Sequence, residues 1–301
     1  MVGNAYLVVR KMSKNFVFRR ILRVAAILIF SGLALGQSDR VEGPWGERGD
    51  VPLAGDFDRD GFADDLAVFR PSQNNWLFDF DADGDTDAST RMGPGDEGDM
   101  FVVGDFDEDG YVNDVGIFMP SRRWYFGTFS YNADRGSIAW SAPFPGITWG
   151  LGGDLPVAGD FDGDGYRDDL GVFRPSNRIW YFDYNSDGST DLRSGPWAIR
   201  GDLPIAGDFN GDTEVGDVGV FRASDRTWYF DYDSNGDTDR RSSPWALSGD
   251  IPISGDFDRD GLSDDIGVFR PSTRTWYFKY SDIAWSPPGM TGGPTPGYVN
   301  A

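Results

Sequence analysis

One segment recurs five times along this 301-residue chain, and that recurrence limits the possible folds more than any other feature of the sequence. The tetrapeptide Gly-Asp-Phe-Asp, or a close variant of it, begins at Gly55, Gly104, Gly159, Gly207 and Gly255, so that successive copies are 49, 55, 48 and 48 residues apart. A repeat of this length is one supersecondary unit that cannot bury its apolar face alone, so neighbouring copies must pack together.

Each repeat is predicted to contain four short strands separated by turn-forming residues. The first is an apolar run such as Leu203 to Phe209, and the second is represented by Leu170 to Arg174 and by Ile266 to Arg270. The third carries Trp-Tyr-Phe, as in Trp180 to Tyr184, and the fourth lies near Pro-Trp. Because strands of about five residues between turn clusters are typical of propeller blades, we predict an all-β protein, a β-propeller of five four-stranded blades.

The start of the repeat region indicates how the ring closes. The segment from Gly43 to Asp50 matches the segment from Gly195 to Asp202, so it is the tail of a blade placed before the first full repeat. The last repeat lacks a full copy of that tail. We therefore expect the N-terminal segment to complete the last blade and close the ring, with an open solenoid as the alternative.

The N-terminus has the order of a secretory signal. Residues 1–36 contain six basic residues and no acidic ones, followed by the apolar run Val24 to Leu35 and by small residues before Gln37. That run is shorter than the ~20 residues that a membrane-spanning helix needs. We expect a cleaved signal at 1–36, a propeller over 37–286 and a disordered Pro/Gly-rich tail at 287–301, in a secreted or cell-surface protein; an uncleaved anchor is the alternative.

Composition removes several classes of chemistry. The chain has no cysteine, so no disulfide holds the fold together, and no histidine, which is the usual general base near neutral pH. Its formal charge of −22 becomes −28 without the predicted signal, which disfavours nucleic acid as a partner. The aspartates are concentrated in loops of fixed spacing, which indicates a site rather than a generally acidic surface.

The acidic segment that follows each first strand, here called the first loop, has the spacing of a calcium site. In repeat 1 it runs from Asp56 to Asp64, with carboxylates at its first, third, fifth and ninth positions and Gly61 at its sixth. Calcium binds six to eight oxygen ligands, and the carbonyl group of Phe62 would add one. The expected ligands are Asp56, Asp58, Asp60 and Asp64; Asp105, Asp107, Asp109 and Asn113; Asp160, Asp162, Asp164 and Asp168; Asp208, Asn210 and Asp212; and Asp256, Asp258, Asp260 and Asp264.

The first loop of repeat 4 departs from this pattern. Thr213 stands where glycine is expected and Gly216 occupies the ninth position, so we expect a weak or empty site there.

A second loop of the same spacing follows the Trp-Tyr-Phe strand in repeats 1, 3 and 4. Its expected ligands are Asp79, Asp81, Asp83 and Asp87; Asp183, Asn185, Asp187 and Asp191; and Asp231, Asp233, Asn235 and Asp239. Repeats 2 and 5 have lost this loop. For both kinds of loop the alternative interpretation is that aspartate, asparagine and glycine act only as turn formers.

The repeated sequence resembles a known family. The pattern Gly-Asp-Phe-Asp-x-Asp-Gly-x-x-Asp-Asp, followed by a hydrophobic residue and Gly-Val-Phe-Arg-Pro-Ser, is similar to the FG-GAP and VCBS repeats of exported bacterial proteins and of integrin α heads. The likeness covers roughly residues 43 to 285. It implies calcium in the loop between the first two strands of a blade and an adhesive or ligand-binding role. Integrin heads have seven blades, whereas five repeats occur here.

These observations predict a secreted calcium-binding module for a glycan or an extracellular protein, and not an enzyme. Nearly every aspartate belongs to a repeated position, although a glycan-active site at Asp134 or Glu97, near the insertion of repeat 2, is an alternative. A passive structural surface component is a third possibility. The recurring tryptophans could stack on sugars or pack between blades. The recurring Arg70, Arg174, Arg222 and Arg270 are expected to pair with a carboxylate or a backbone carbonyl.

Overall fold

The computed structural model describes residues 38–91, 95–142, 146–212 and 215–281. The predicted signal at 1–36 and the predicted tail at 287–301 lie outside the described residues. The described chain contains twenty β-strands and one short 3-10 helix, Pro71–Gln73, and the strands form five four-stranded antiparallel sheets. None of the described helical residues forms a segment long and apolar enough to cross a membrane.

The first four sheets follow the chain in order. Blade 1 contains β2 (Val51–Gly55), β3 (Asp65–Arg70), β4 (Asn75–Asp79) and β5 (Ala88–Thr90). Blade 2 contains β6 (Met100–Gly104), β7 (Asp114–Phe118), β8 (Trp124–Asn132) and β9 (Ser137–Ser141). Blade 3 contains β10 (Leu155–Gly159), β11 (Asp169–Arg174), β12 (Ile179–Asp183) and β13 (Leu192–Pro196). Blade 4 contains β14 (Leu203–Gly207), β15 (Asp217–Arg222), β16 (Thr227–Asp231) and β17 (Arg240–Arg241).

Blade 5 is assembled from both ends of the described chain. It contains β18 (Ile251–Gly255), β19 (Asp265–Arg270), β20 (Thr275–Lys279) and, as its outer strand, β1 (Arg40–Glu42). In the antiparallel register of β1 with β20, Arg40 lies opposite Phe278 and Glu42 opposite Trp276. The predicted five-bladed propeller, closed by the N-terminal segment, is confirmed.

The apolar core lies between the blades. The second strands, typically Asp-hydrophobic-Gly-Val-Phe-Arg, are buried along almost their whole length because a neighbouring blade covers each face. One cluster joins Trp180 and Phe182 of blade 3 to Val218 and Val220 of blade 4, and each of the other clusters also spans two blades. Closing the ring therefore removes apolar surface that a single blade would expose to water.

The topology collects the acidic loops at one end of the sheets. Because consecutive strands are antiparallel, the connections from first to second strand and from third to fourth strand leave each sheet at the same end, here called the acidic end. The other connections leave at the opposite end. The five innermost strands, β2, β6, β10, β14 and β18, surround a central channel with a volume of about 150 Å³.

Candidate functional site

Backbone hydrogen bonds to aspartate side chains shape each first loop. In blade 3 the Asp160 carboxylate accepts bonds from the backbone N–H groups of Asp164 at 3.0 Å and Gly165 at 3.0 Å. Asp162 accepts a second bond from Asp164 at 3.0 Å. Asp160 is buried and Asp162 is exposed. These bonds turn the loop tightly enough to bring alternate side chains towards one point, as the sequence spacing predicted.

A further aspartate, which the sequence analysis did not include, completes the first loop. It occupies the tenth position, as the first residue of the second strand: Asp65, Asp114, Asp169, Asp217 and Asp265. All five are buried. In blade 3 the Asp169 carboxylate accepts the backbone N–H of Asp162 at 2.8 Å, and ligand oxygens of Asp160, Asp162 and Asp169 lie within 4.8 Å of one another. The recurrence of aspartate at this position in all five repeats was the signal that could have identified it.

Several first-loop residues have additional partners outside their own loop. At the ninth position, Asp64 accepts a bond from Arg259 Nε of blade 5 at 2.7 Å. At the fifth position, Asp109 of blade 2 forms an ion pair with Arg59 of blade 1. The Asn113 side-chain amide donates to the carbonyl oxygen of Phe129 at 3.1 Å. Arginines at the fourth position of the loop thus connect the acidic loops of neighbouring blades.

The second loops bring their predicted residues together. In blade 1, Asp79 accepts the backbone N–H of Gly84 at 2.9 Å and Asp87 accepts that of Phe80 at 2.8 Å. Ligand oxygens of Asp79, Asp81 and Asp87 lie within 4.8 Å of one another, and the equivalent group Asp231, Asp233 and Asp239 forms in blade 4. Blade 3 has the same backbone bonds to Asp183 and Asp191.

Burial makes the ionised form of these carboxyls unfavourable in the metal-free protein. Desolvation, followed by repulsion from neighbouring carboxylates, raises the pKa of Asp65 to about 10 and that of Asp169 to about 8. The same cause raises the pKa of Asp56 to about 6 and that of Asp79 to about 7, against hydrogen bonds from loop N–H groups that act in the opposite direction. A group of such carboxyls needs protons or a cation to remain buried.

Several buried oxygens in these loops have no hydrogen-bond partner among the described residues. They are Asp64 Oδ1, Asp65 Oδ1, Asn113 Oδ1, Asp114 Oδ1 and Asp217 Oδ2. Native proteins rarely leave buried polar atoms unsatisfied, because desolvation then costs about 1–3 kcal/mol for each group. Carboxylate and amide oxygens without nitrogen or sulfur donors are the ligand set of a hard divalent cation.

The first loops also form the contacts between blades near the channel. The backbone N–H of each first-position aspartate donates to the carbonyl oxygen of the eighth loop residue in the next blade. These bonds run from Asp56 to Val112 (2.8 Å), Asp105 to Arg167 (3.0 Å), Asp160 to Val215 (3.1 Å), Asp208 to Ser263 (3.1 Å) and Asp256 to Ala63 (3.1 Å). The last bond connects blade 5 to blade 1, so the five bonds form a closed circle.

One arginine lies at the acidic mouth of the channel. Arg167 donates from Nη1 to Ser263 Oγ at 2.8 Å, which links blade 3 to blade 5. It helps to line a cavity of about 220 Å³ together with Asp56, Asp105 and Asp256. Desolvation lowers the pKa of Arg167, although the surrounding aspartates favour its charged form. Its positive charge offsets part of the repulsion within the ring of first-position aspartates.

The recurring tryptophans belong to the core. The third-strand residues Trp76, Trp124, Trp180, Trp228 and Trp276 are fully buried. The tail residues Trp45, Trp149, Trp197 and Trp245 are between 4% and 7% exposed, and each donates its indole N–H to a hydroxyl of the next blade. The packing interpretation therefore holds for these nine indoles, and none presents a face to a sugar.

The recurring arginines form buried ion pairs at the end opposite the acidic loops. Arg174 donates to both carboxylate oxygens of Asp154, with the shortest distance 2.7 Å, and lies over the ring of Tyr181 at 4.1 Å from its centroid. Arg70, Arg222 and Arg270 pair in the same way with Asp50, Asp202 and Asp250. The predicted pairing with a carboxylate is confirmed in all four blades that have the arginine.

The acids considered for a catalytic site in repeat 2 are far apart. Glu97 precedes β6, whereas Asp134 lies in the turn between β8 and β9. By the antiparallel topology these positions are at opposite ends of blade 2, so the two carboxylates cannot act on one bond. Thr213, which stands where glycine is expected in the first loop of repeat 4, lies outside the described residues.

Comparison with known proteins gives similarity to solved structures only. No protein-family model matches the chain, and no curated protein matches it. A crystal structure of BBS1N in complex with ARL6DN is similar over 73% of this chain and 62% of that one, at 11% identity and a TM-score of 0.40. A protein of unknown function from Bacteroides caccae is similar over 74% and 72%, at 10% identity and a TM-score of 0.38. The WD40 β-propeller domain of Doa1 is similar over 75% and 63%, at 12% identity and a TM-score of 0.38. This chain therefore spans less than two thirds of the first and third of these chains.

Proposed function

We propose that this protein is a secreted β-propeller that binds several calcium ions and presents a binding surface to an extracellular ligand. The observation that carries the proposal is a set of buried oxygens that have no hydrogen-bond partner within the described parts of the chain, each in a loop crowded with carboxylates. They belong to Asp64, Asp65, Asn113, Asp114 and Asp217. A divalent cation would satisfy these oxygens and neutralise the loops. The propeller itself is a rigid scaffold of the kind that serves binding functions.

Calcium is favoured over other ions by the ligand set and by the predicted location. The loops offer oxygen donors at flexible positions, which suits the six to eight ligands of calcium better than the strict octahedron of magnesium. Zinc and copper sites usually contain histidine or cysteine ligands, and the chain has neither residue. The N-terminal signal pattern supports export, and an exported protein meets more free calcium than a cytosolic one.

Metal binding in the first loops would make the acidic end more rigid. Each first loop donates one backbone hydrogen bond to the next blade, and Arg59 and Arg259 join loops of neighbouring blades. An ion that fixes one loop therefore also fixes a contact between blades. We infer that ligand binding depends on calcium through loop order. We favour an extracellular protein over a glycan as the ligand, because the nine recurring indoles are buried and cannot stack on sugar rings.

The experiment is metal analysis and thermal unfolding of the purified protein in calcium and in excess chelator. Each filled site that binds only the folded state adds about 2.7 kcal/mol at a calcium concentration a hundredfold above Kd. Several calcium ions per chain and a large fall in Tm on chelation are the expected results. Absence of bound metal together with an unchanged Tm would remove the proposal.

A matched pair of variants assigns the effect to a loop. Asp105→Asn alters a buried first-position ligand in blade 2, whereas Glu108→Gln removes one negative charge from an exposed position of the same loop. The first variant is expected to lose one calcium ion per chain, and the second to keep all of them. Arrays of extracellular proteins and glycans, probed in calcium and in chelator, then test the ligand: a calcium-dependent protein signal supports the proposal, and a glycan signal alone contradicts the ligand class.

A further inference from the structure

The third strand of blade 5 ends in lysine, whereas the third strands of blades 1, 3 and 4 end in aspartate. Lys279 lies opposite Ile266 in the register of β19 and β20. Asp183 occupies the same register position opposite Leu170 in blade 3, and Asp231 opposite Val218 in blade 4. In those blades the aspartate occupies the first position of the second loop. Lys279 therefore stands at the first position of a second loop that the sequence analysis regarded as lost.

The N-terminal segment supplies the other end of that loop. Asp39 Oδ2 accepts the backbone N–H of Tyr280 at 2.9 Å, as Asp239 accepts that of Tyr232 at 2.8 Å in blade 4. The backbone N–H of Asp39 donates to the carbonyl oxygen of Phe278 at 2.9 Å, and Asp239 makes the equivalent bond to Phe230 at 2.9 Å. Asp39 thus occupies the ninth position of the loop, although it precedes the rest of blade 5 by more than two hundred residues.

The neighbouring serine repeats the same correspondence. Ser38 Oγ accepts the indole N–H of Trp245 from blade 4 at 3.4 Å. In blade 4 the equivalent acceptor is Thr238, which binds the indole of Trp197 at 2.9 Å. Ser38 and Asp39 therefore reproduce the Thr-Asp end of a second loop. Blade 5 therefore has the two ends of a second loop, and they come from two distant segments of the chain.

A lysine side chain bridges the two parts of this divided loop. Lys279 Nζ lies 2.9 Å from Asp39 Oδ2, and the two side chains are 37% and 35% exposed. The ammonium group is thus bound to the ninth-position carboxylate, which in the second loops of blades 1 and 4 lies within 4.8 Å of the first- and third-position carboxylates. The Lys279 ammonium group therefore places a positive charge at the position where the second loops of blades 1 and 4 have a cluster of carboxylates.

We propose that the Lys279 ammonium group takes the place of the calcium ion in the divided second loop, so that the blade that closes the ring does not need metal. The proposal rests on the proposed function, namely that the continuous second loops bind calcium. A dissociable ion in a loop made of two chain segments would let the ring open whenever calcium fell. The Lys279 ammonium group is covalently attached to β20 and cannot dissociate. It therefore keeps β1 paired with β20 whether calcium is present or not.

Hydrogen exchange of the full chain tests this proposal, with the amides of β1 and of residues 183–191 in blade 3 as the two readouts. In the unmodified protein, chelation is expected to speed exchange in residues 183–191 and to leave β1 unchanged. Lys279→Met removes the bridge, and β1 is expected to exchange about two- to fivefold faster, equally with and without calcium, as for an exposed ion pair.

The decisive variant is Lys279→Asp, which restores the first-position carboxylate. Two carboxylates then face each other across the divided loop, and β1 is expected to exchange at least about tenfold faster in chelator, equivalent to ~1.4 kcal/mol, with protection recovered in calcium. The reciprocal variant Asp183→Lys is expected to lose one calcium ion and to make residues 183–191 insensitive to chelator.

The possible failures can be told apart. If β1 of the unmodified protein loses protection on chelation together with residues 183–191, closure needs metal and the role of Lys279 is refuted. Full protection of β1 in Lys279→Asp under chelator would refute it as well. If chelation changes neither segment of the unmodified protein, the calcium proposal itself fails, and with it the idea that lysine replaces an ion.

Discussion

The glycine that opens each repeated motif is predicted to be required by the neighbouring blade rather than by its own backbone. A Cβ atom added to Gly159 would lie 2.5 Å from the carbonyl oxygen of Val215 in blade 4, and the equivalent distance at each of the other four glycines is between 2.4 and 2.6 Å. That carbonyl accepts the backbone N–H of Asp160 at 3.1 Å. Gly159 itself has no positive φ angle, so its own backbone conformation does not require glycine. The added Cβ would also lie 3.0 Å from the ring of Phe161 in the same blade, but the carbonyl oxygen of Val215 is the closer obstacle.

The expected cost of Gly159→Ala follows from these contacts. The blades must separate by several tenths of an ångström, and overpacking of this kind costs about 1–3 kcal/mol. Weakening the hydrogen bond between Asp160 and Val215 adds about 0.5–1.5 kcal/mol. We therefore expect a loss of about 2–4 kcal/mol in the free energy of unfolding, measured by urea denaturation in calcium. The fall in Tm should be roughly 5–15 °C for a domain of this size.

Gly152→Ala is the control for this experiment. Gly152 lies in the connection that leads from blade 2 into β10, has no positive φ, and an added Cβ would meet nothing closer than the carbonyl oxygen of Pro120 at 3.8 Å. Its unfolding free energy is expected to stay within about 0.5 kcal/mol of the unmodified protein. If the two variants have equal stability, the close approach of the blades does not explain the repeated glycine and the reasoning is refuted.

Three further predictions concern charge and hydrogen bonding. Burial raises the pKa of the tenth-position aspartates, so the folded metal-free protein holds protons that the unfolded chain releases above about pH 4. In chelator, Tm should therefore fall as pH rises from 5 to 8, and calcium should reduce that slope. A Tm that rises with pH in chelator would contradict the effect of burial on these carboxyls. Arg174→Met introduces the residue that blade 2 has naturally at Met119, but it leaves the buried Asp154 without its cation. The free energy of unfolding in urea should fall by about 3 kcal/mol, and the double variant with Asp154→Asn should recover much of that loss. Thr238→Val removes the acceptor of the buried Trp197 indole and should cost about 1–3 kcal/mol, with a tryptophan emission change as the second readout; an unchanged stability would mean that water replaces the hydroxyl.

Much of the acidic site could be predicted from spacing alone. Alternating aspartates with a glycine at the sixth position restrict a loop to few conformations, because the Asp160 carboxylate binds the backbone N–H groups of its own loop. The tenth-position aspartate was missed for a physical reason. Asp169 is the first residue of β11, so it lies outside the loop in the sequence. Its carboxylate still reaches the loop, where it accepts the backbone N–H of Asp162. The nine-position loop pattern used for the prediction ends at Asp168, one residue before Asp169.

The local and repeated features of this protein could be predicted from its amino-acid order: the number of blades, the strands within each blade, the acidic loops and the candidate outer strand at the N-terminus. These depend on residues close together in the chain, and five copies of the pattern reinforce one another. The folded ring was needed to show which blade contacts which loop. It placed the carbonyl group of Val215 against Gly159, set the circle of hydrogen bonds around the channel, and brought Asp39 to Lys279. Such contacts arise from closing the ring, which brings together residues that are distant in the chain, and no local pattern specifies them.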